Sequence, residues 1–270
     1  MNLTYDAELK KQIQFYEIHP EYMPFVGDRY DEFKILHVGE SHFIPQEVGS
    51  DLFSIAYFKE HWWDDACEEL KNCQEKNDHN KKGSKWGGWF RTKSVVEDYL
   101  NGNRTHSHGI FSELVKVFAF VCKKRTIPHI NDDEAKNYEC FAFMNFFQMP
   151  ALYAGMKYWD SLKKSAIESG MTRKQANAYA GKFWDDAVQR SSDVLDNVID
   201  VLNPNVVIFT SKSAADAYKG KYRNSSLVIA AMHPASPHWN SSKNGKSGKE
   251  RLIEQWNALG QSDAASCCKP

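Results

Sequence analysis

Four apolar runs, each carrying or followed at once by a short polar signature, constrain the fold of this chain more than any other feature. The signatures are Gly39–Phe43 after residues 34–38, Asn145 within residues 141–147, Thr210 and Ser211 after residues 205–209, and His233–Pro237 after residues 227–232. Short, continuous apolar runs of this kind are typical of fully buried strands. Because ligands of open parallel sheets bind beyond the carboxyl ends of the strands, the four signatures predict one shared pocket.

Helical segments separate the predicted strands. Helices are expected over residues 6–16, 112–124, 151–161, 172–202, 213–218 and 250–259. Asn203 and Pro204 end the longest of them, since proline cannot continue a helix. Strands separated by helices indicate a parallel sheet covered on both faces, so the sequence predicts an α/β fold.

The length of 270 residues and the apolar content of 42% indicate one domain with an insertion. The domain is expected over residues 1–260, with the insertion at about 54–131 and a disordered tail at 261–270. Within the insertion, the polar run of residues 74–85 is typical of a loop or a flap.

Charge and composition exclude several classes of protein. The formal net charge of -1 argues against indiscriminate coating of nucleic acid or membrane and allows only focused binding. The chain has no apolar stretch approaching 18 residues and no signal-peptide pattern at its start, which predicts a cytoplasmic protein that binds no membrane. The six cysteines include no Cys-x-x-Cys pair, so reduced thiols are expected, with no metal and no cofactor.

The order of the four signatures resembles the uracil-DNA glycosylase superfamily. The matching segments cover residues 34–53, 141–150, 194–218 and 227–259, under half of the chain. The resemblance implies a three-layer α/β/α sandwich with a short, mainly parallel four-stranded sheet. It also implies a DNA glycosylase-like monomer that recognises a flipped uracil or other deaminated base in single- or double-stranded DNA and hydrolyses its N-glycosidic bond.

The resemblance assigns catalytic roles to Glu40, Ser41 and His233. Residues 39–43 match the first family motif, whose backbone and third residue hold the hydrolytic water. Ser41 occupies that third position, where many active members have Asp or Asn, and a serine cannot act as a carboxylate base. Glu40 is the residue expected to substitute for it. His233 matches the histidine that donates to the O2 atom of the leaving base.

Four residues are implied to bind the base. Gly39 belongs to the first motif, and Phe43 occupies the position of the aromatic gate that excludes thymine. Phe53 has the spacing of the aromatic residue that stacks on the flipped base, although an aromatic residue here is more commonly part of a core. Asn145 matches the asparagine whose amide reads the Watson–Crick edge of uracil, because it offers both a donor and an acceptor.

The DNA contacts are expected around the fourth signature. The loop 234–240 falls where the family inserts a wedge into the base stack, and His238 or Trp239 would be that wedge. The full set of expected contacts comprises Ser211, Ser236, His238, Trp239, Lys243 and Lys246. The lysines are expected to contact phosphates. The basic and aromatic residues of 81–93 form a second candidate surface, for which an ordinary loop is the alternative.

Two other classes of function stay open at this point. One is a module on the same fold that binds a base or a nucleic acid without cleaving it, which Ser41 and the near-neutral charge favour. The other is a Glu/His hydrolase resembling erythromycin esterases, because Gly-Glu-x-His also occurs in those proteins. The esterase-like hydrolase explains neither Asn145 nor the His233 signature. The sequence does not decide between the glycosylase and the binding module.

Overall fold

The computed structural model describes residues 1–43, 62–64, 91–102, 108–125, 131, 133–151, 156–242 and 245–259. The helices of these segments are α1 Thr4–Gln12, α2 Phe15–Ile18, α3 Tyr30–Phe33, α4 Thr92–Leu100, α5 Gly109–Lys124, α6 Tyr158–Glu168, α7 Arg173–Leu202, α8 Lys212–Ala217 and α9 Gly248–Leu259. The strands are β1 Phe25–Val26, β2 Ile35–Phe43, β3 Phe141–Ala151, β4 Val206–Phe209 and β5 Val228–Ala230. Most of the predicted insertion and the tail 261–270 lie outside the described residues.

The five strands form one mixed sheet in the order β1-β3-β2-β4-β5. Strands β3, β2, β4 and β5 run parallel to one another, and the two-residue β1 pairs antiparallel with β3 at the edge. The α/β class is therefore confirmed, whereas the prediction of four strands is corrected to five. Two residues cannot show an alternating pattern, so the sequence carries no signal for β1.

Alternate residues of the central strands belong to two separate buried clusters. Leu36 and Val38 of β2 pack in the first cluster with residues of α1, α6 and α7. Ile35 packs in the second cluster with residues of α4, α5 and α9. Because side chains of a strand alternate between its two faces, the two clusters lie on opposite sides of the sheet.

Strand β2 continues through the first signature, whereas the sequence predicts that it ends at Val38. Gly39 pairs in register with Asn145, and Ser41 pairs with Phe147. The register then shifts between Ser41 and Phe43, as at a β-bulge. The first signature is thus positioned by strand pairing with β3 and not by a loop.

The helices that flank β3 and β4 also differ in part from the prediction. Strand β3 runs to Ala151, so residues 150 and 151 are extended, and α6 begins at Tyr158. Helix α7 agrees with the prediction, with Thr172 and Gln175 forming a capping box at its start. Asn203 ends α7 with a φ of 45°, in the left-handed region that asparagine tolerates better than most residues. None of the described helices is both long and apolar enough to span a lipid bilayer.

Candidate functional site

The Glu40 carboxylate is held at the carboxyl edge of the sheet by donors from two other elements. Ser211 Oγ donates a hydrogen bond of 2.7 Å to Glu40 Oε2. The backbone N–H of Tyr158, the first residue of α6, donates to Glu40 Oε1 over 3.3 Å. Ser211 Oγ also accepts from the N–H of Ala214, which makes it the N-cap of α8. The carboxylate is therefore fixed in direction while each of its oxygens keeps further acceptor capacity.

Asn145 lies beside Gly39 on the neighbouring strand and is only 9% exposed. A Cβ atom on Gly39 would lie 2.3 Å from Asn145 Oδ1 and 3.3 Å from a ring carbon of Phe143. Glycine is therefore the residue that leaves room for the amide. The backbone oxygen of Asn145 accepts a 2.5 Å hydrogen bond from the side chain of Gln148.

The side-chain amide of Asn145 forms no hydrogen bond with the residues that the structure describes. Neither amide atom is among the fully enclosed polar atoms that have no hydrogen-bond partner, so the amide reaches solvent. An unbonded Asn145 amide in the middle of β3, largely buried but open to solvent, is available to a ligand.

His233 follows β5 and presents a defined tautomer. Its Nδ1 accepts a hydrogen bond of 3.1 Å from the backbone N–H of Ala235, so in the neutral ring the proton is on Nε2. Desolvation lowers the pKa of His233, and the nearby Glu40 carboxylate opposes that effect. The residue is exposed to solvent, and in its neutral form the ring offers Nε2–H as a donor.

His37 is a buried polar residue of this region that the sequence reasoning missed. Its Nδ1 lies 2.6 Å from the hydroxyl of Tyr138, and its Nε2 lies 2.7 Å from Thr210 Oγ1. Burial, with a smaller contribution from the charge of His233, lowers the pKa of His37 to about 3. The ring also packs against Phe143, with centroids 4.9 Å apart. The sequence did carry a signal for it, because His37 is a polar residue inside the apolar run 34–38, just as Asn145 is inside the run 141–147.

The remaining residues of the first signature are placed as follows. Ser41 is half-buried in β2. His42 is buried, with Nε2 3.0 Å from Thr92 Oγ1. For Phe43 only the backbone is described, and Phe53 lies outside the described residues. The gate and stacking roles of these two phenylalanines stay predictions.

The wedge role of Trp239 is corrected by the structure. Its side chain is fully buried, packs in the second cluster and donates from Nε1 to Glu113 Oε2 over 2.8 Å. A side chain that closes the core cannot also enter a DNA stack. His238, its neighbour, is exposed and stays the candidate wedge, and Ser236 Oγ accepts from the N–H of His238 over 3.3 Å.

Two other expected DNA contacts have partners within the protein. Ser211 is buried and donates to Glu40, so it supports the carboxylate and cannot reach a phosphate, which corrects its predicted role. Lys246 is exposed and forms an ion pair with Glu254. Lys243 lies outside the described residues.

The structure therefore brings Gly39, Glu40, Asn145 and His233 to one edge of the sheet. Gly39 and Asn145 are paired in register, and the Glu40 carboxylate is close enough to His233 to raise its pKa against the effect of desolvation. Among the described residues no group of three His, Cys, Asp or Glu side chains is arranged to hold a metal ion.

Comparison with known proteins adds no family assignment. No protein-family model, no curated protein and no solved structure matches this chain.

Proposed function

We propose that this protein is a DNA glycosylase-like protein that recognises a flipped uracil or other deaminated base and hydrolyses its N-glycosidic bond. The observation that carries the proposal is the unbonded amide of Asn145, which is largely enclosed beside Gly39 yet open to solvent. The proposal includes the three-layer α/β/α form of the sandwich and a cytoplasmic monomer.

Asn145 would recognise the base through both ends of its amide. Its NH₂ group donates to the O4 atom of uracil, and its Oδ1 accepts from N3–H. Cytosine presents the opposite donor and acceptor at these positions, so the same amide orientation rejects it. Gly39 keeps this orientation possible because any side chain there would meet Oδ1.

His233 would stabilise the leaving base. As the bond between the sugar C1′ and the base N1 breaks, the bonding electrons pass to the base, and negative charge develops on O2. The Nε2–H of a neutral His233 is free to donate to that oxygen, because Nδ1 is already occupied by the N–H of Ala235. Donors fixed in advance at the site of developing charge are worth about 100- to 1,000-fold in rate.

Glu40 would orient the hydrolytic water. A new bond forms between the water oxygen and C1′, and the Glu40 carboxylate accepts the proton that the water loses. Ser211 and Tyr158 hold the carboxylate while leaving it lone pairs for this contact. Ser41 supplies no charge at the usual catalytic position, so slow hydrolysis is expected.

A non-catalytic base-binding module is the second candidate. The observation that favours it is that both oxygens of Glu40 already have a protein donor, whereas Ser41 offers no carboxylate. In this case the Asn145 amide still selects the base, and no bond is cleaved.

Base release from labelled single- and double-stranded oligonucleotides tests both candidates. Uracil, hypoxanthine and xanthine substrates are compared for wild type, Ser41→Asp, Ser41→Asn and Asn145→Ala. Wild type is expected to release uracil slowly, with a gain of about 100-fold or more for Ser41→Asp. Uracil binding that depends on Asn145, without release by any variant, would select the binding module. The absence of both release and Asn145-dependent binding would overturn the proposal.

A further inference from the structure

An open groove of about 820 Å³ lies between α6 and the first turn of α7. Its charged lining residues are Lys157, Asp160, Lys163, Lys164, Glu168 and Arg173. Four cations thus stand against two carboxylates, in a chain whose formal net charge is -1. The groove is therefore a local basic surface, which the formal net charge of the whole chain does not indicate.

Two cations of the α6–α7 groove form exposed ion pairs, and the other two form none with the described residues. Lys163 and Lys164 form ion pairs with Asp160 and Glu168 at 3.5 Å and 3.8 Å. These are exposed pairs, which contribute little and exchange readily. Lys157 and Arg173 form no ion pair with any residue of the described segments.

The groove begins one residue away in sequence from a contact of the candidate site. Lys157 directly precedes Tyr158, whose backbone N–H donates to Glu40. The Tyr158 ring also stacks on Phe147, with centroids 4.4 Å apart, and Phe147 is the register partner of Ser41. The start of α6 is therefore fixed beside Glu40, and the cations extend away from it along the helix.

We propose that the α6–α7 groove binds the sugar–phosphate backbone of a single nucleic-acid strand leaving the base-binding site. Helix α6 has 11 residues and is about 16 Å long, so its cations span the axial distance that about five nucleotides of one strand cover in B-form geometry, at about 3.4 Å each, and fewer in an extended strand. Exposed Met156 and Ile167 line the same groove and offer apolar contact to sugars and bases. The inference rests on the proposed function, because the occupant is identified by the site where the groove begins.

The test compares two triple variants that remove equal charge. The groove variant is Lys157→Ala, Lys164→Ala, Arg173→Ala, and its control is Lys123→Ala, Lys124→Ala, Lys136→Ala, which lie in and beside α5 on the other side of the sheet. Binding of a 15-nucleotide single strand containing one uracil is measured by fluorescence anisotropy at several salt concentrations. Thermal unfolding checks that each variant is folded.

The groove variant is expected to bind on the order of tenfold more weakly at low salt. Its logarithmic salt slope should fall by about 2, since each lost single-strand phosphate contact removes about 0.7. The control should bind as wild type does. Equal affinity and slope for the two triple variants would overturn the groove proposal.

Two further measurements distinguish failure of the proposed function from failure of the groove proposal. Preference of wild type for the uracil strand over a matched thymine strand reports the proposed function, so its absence would overturn that proposal whatever the groove does. A 15-residue poly-glutamate peptide tests the alternative ligand class. Peptide binding that equals strand binding and is lost in the groove variant would overturn the assignment to nucleic acid.

Discussion

At the residue scale, the candidate site depends on one glycine and one asparagine that face each other across two strands. Gly39 has ordinary backbone angles, so its role is space and not conformational freedom. The nearest atom to an added Cβ is the end of the Asn145 side chain, which can rotate away. A methyl group at this position should therefore disturb recognition more than folding.

The variant Gly39→Ala is expected to lose about 5- to 150-fold of its preference for uracil-containing DNA, because displacing the amide leaves a base contact worth ~1–3 kcal/mol unmade. Gly109→Ala is the matched control, since nothing lies within 4 Å of an added Cβ there. Competition binding between uracil and thymine strands measures the effect. Unchanged preference in Gly39→Ala would remove the Gly39–Asn145 pair from the recognition site.

The lowered pKa of His37 predicts that the stability of the protein depends on pH. Its pKa is about 3 in the folded protein and near 6.5 in the unfolded chain, so between these values only the unfolded chain binds the proton. Stability should therefore fall as pH drops from about 6.5 to 3, by up to about 1.4 kcal/mol per pH unit from this group. Above pH 7 His37 contributes nothing to the change of stability with pH.

Urea unfolding of wild type, His37→Gln and His238→Gln across this pH range measures the contribution. His37→Gln is expected to unfold more readily at pH 7, because it perturbs the contacts to Tyr138 and Thr210, but to lose less stability on acidification. His238→Gln, at an exposed position, should follow wild type. If the free energy of unfolding falls equally with decreasing pH in all three proteins, His37 is protonated in the folded state as well.

At the element scale, the loop after β5 is fixed to α5 by a single large side chain. Trp239 fills the second cluster and bonds to Glu113 of α5. At Gly248, at the start of α9, an added Cβ would lie 3.0 Å from Met232 Cβ and 3.2 Å from the Trp239 ring, so these neighbours would have to shift by a few tenths of an ångström. The loop that carries His233 and His238 is thus held in place by packing at its end.

Trp239→Ala is expected to lower the free energy of unfolding by about 3–5 kcal/mol, as for other buried tryptophans. Trp239→Phe should cost less and keep DNA affinity, since the buried ring is retained and no DNA contact is removed. His238→Ala should stay within about 0.5 kcal/mol of wild type in stability. A stable Trp239→Phe protein with lost DNA binding would restore the wedge role that the structure argues against.

At the scale of the whole molecule, the sequence predicted the parallel strands and the long helices because each has a strong local pattern. Strand β4 is a continuous apolar run, and α7 has both a capping box and a stop signal. The length of β2 was not predictable in this way. Gly39 and Ser41 look like turn residues, and only pairing with β3 makes them part of a strand.

The site was predictable to the same degree. Asn145 and Glu40 were singled out as candidates because polar residues in or after apolar runs need a partner or a ligand. Trp239 was misjudged because its neighbours in sequence are polar, while its neighbours in space belong to α5 and α9. The basic groove along α6 was missed because its cations are dispersed among carboxylates and converge only when α6 and α7 pack together.

The in-register pairing of Gly39 with Asn145 also bears on how this chain can tolerate changes in length. Deleting one residue between positions 35 and 38 would bring Glu40 opposite Asn145 and turn the following side chains to the other face of the sheet. Residues added beyond the end of β2 leave that pairing untouched. Length variation among descendants of this sequence should therefore concentrate between β2 and β3 and spare the strands themselves.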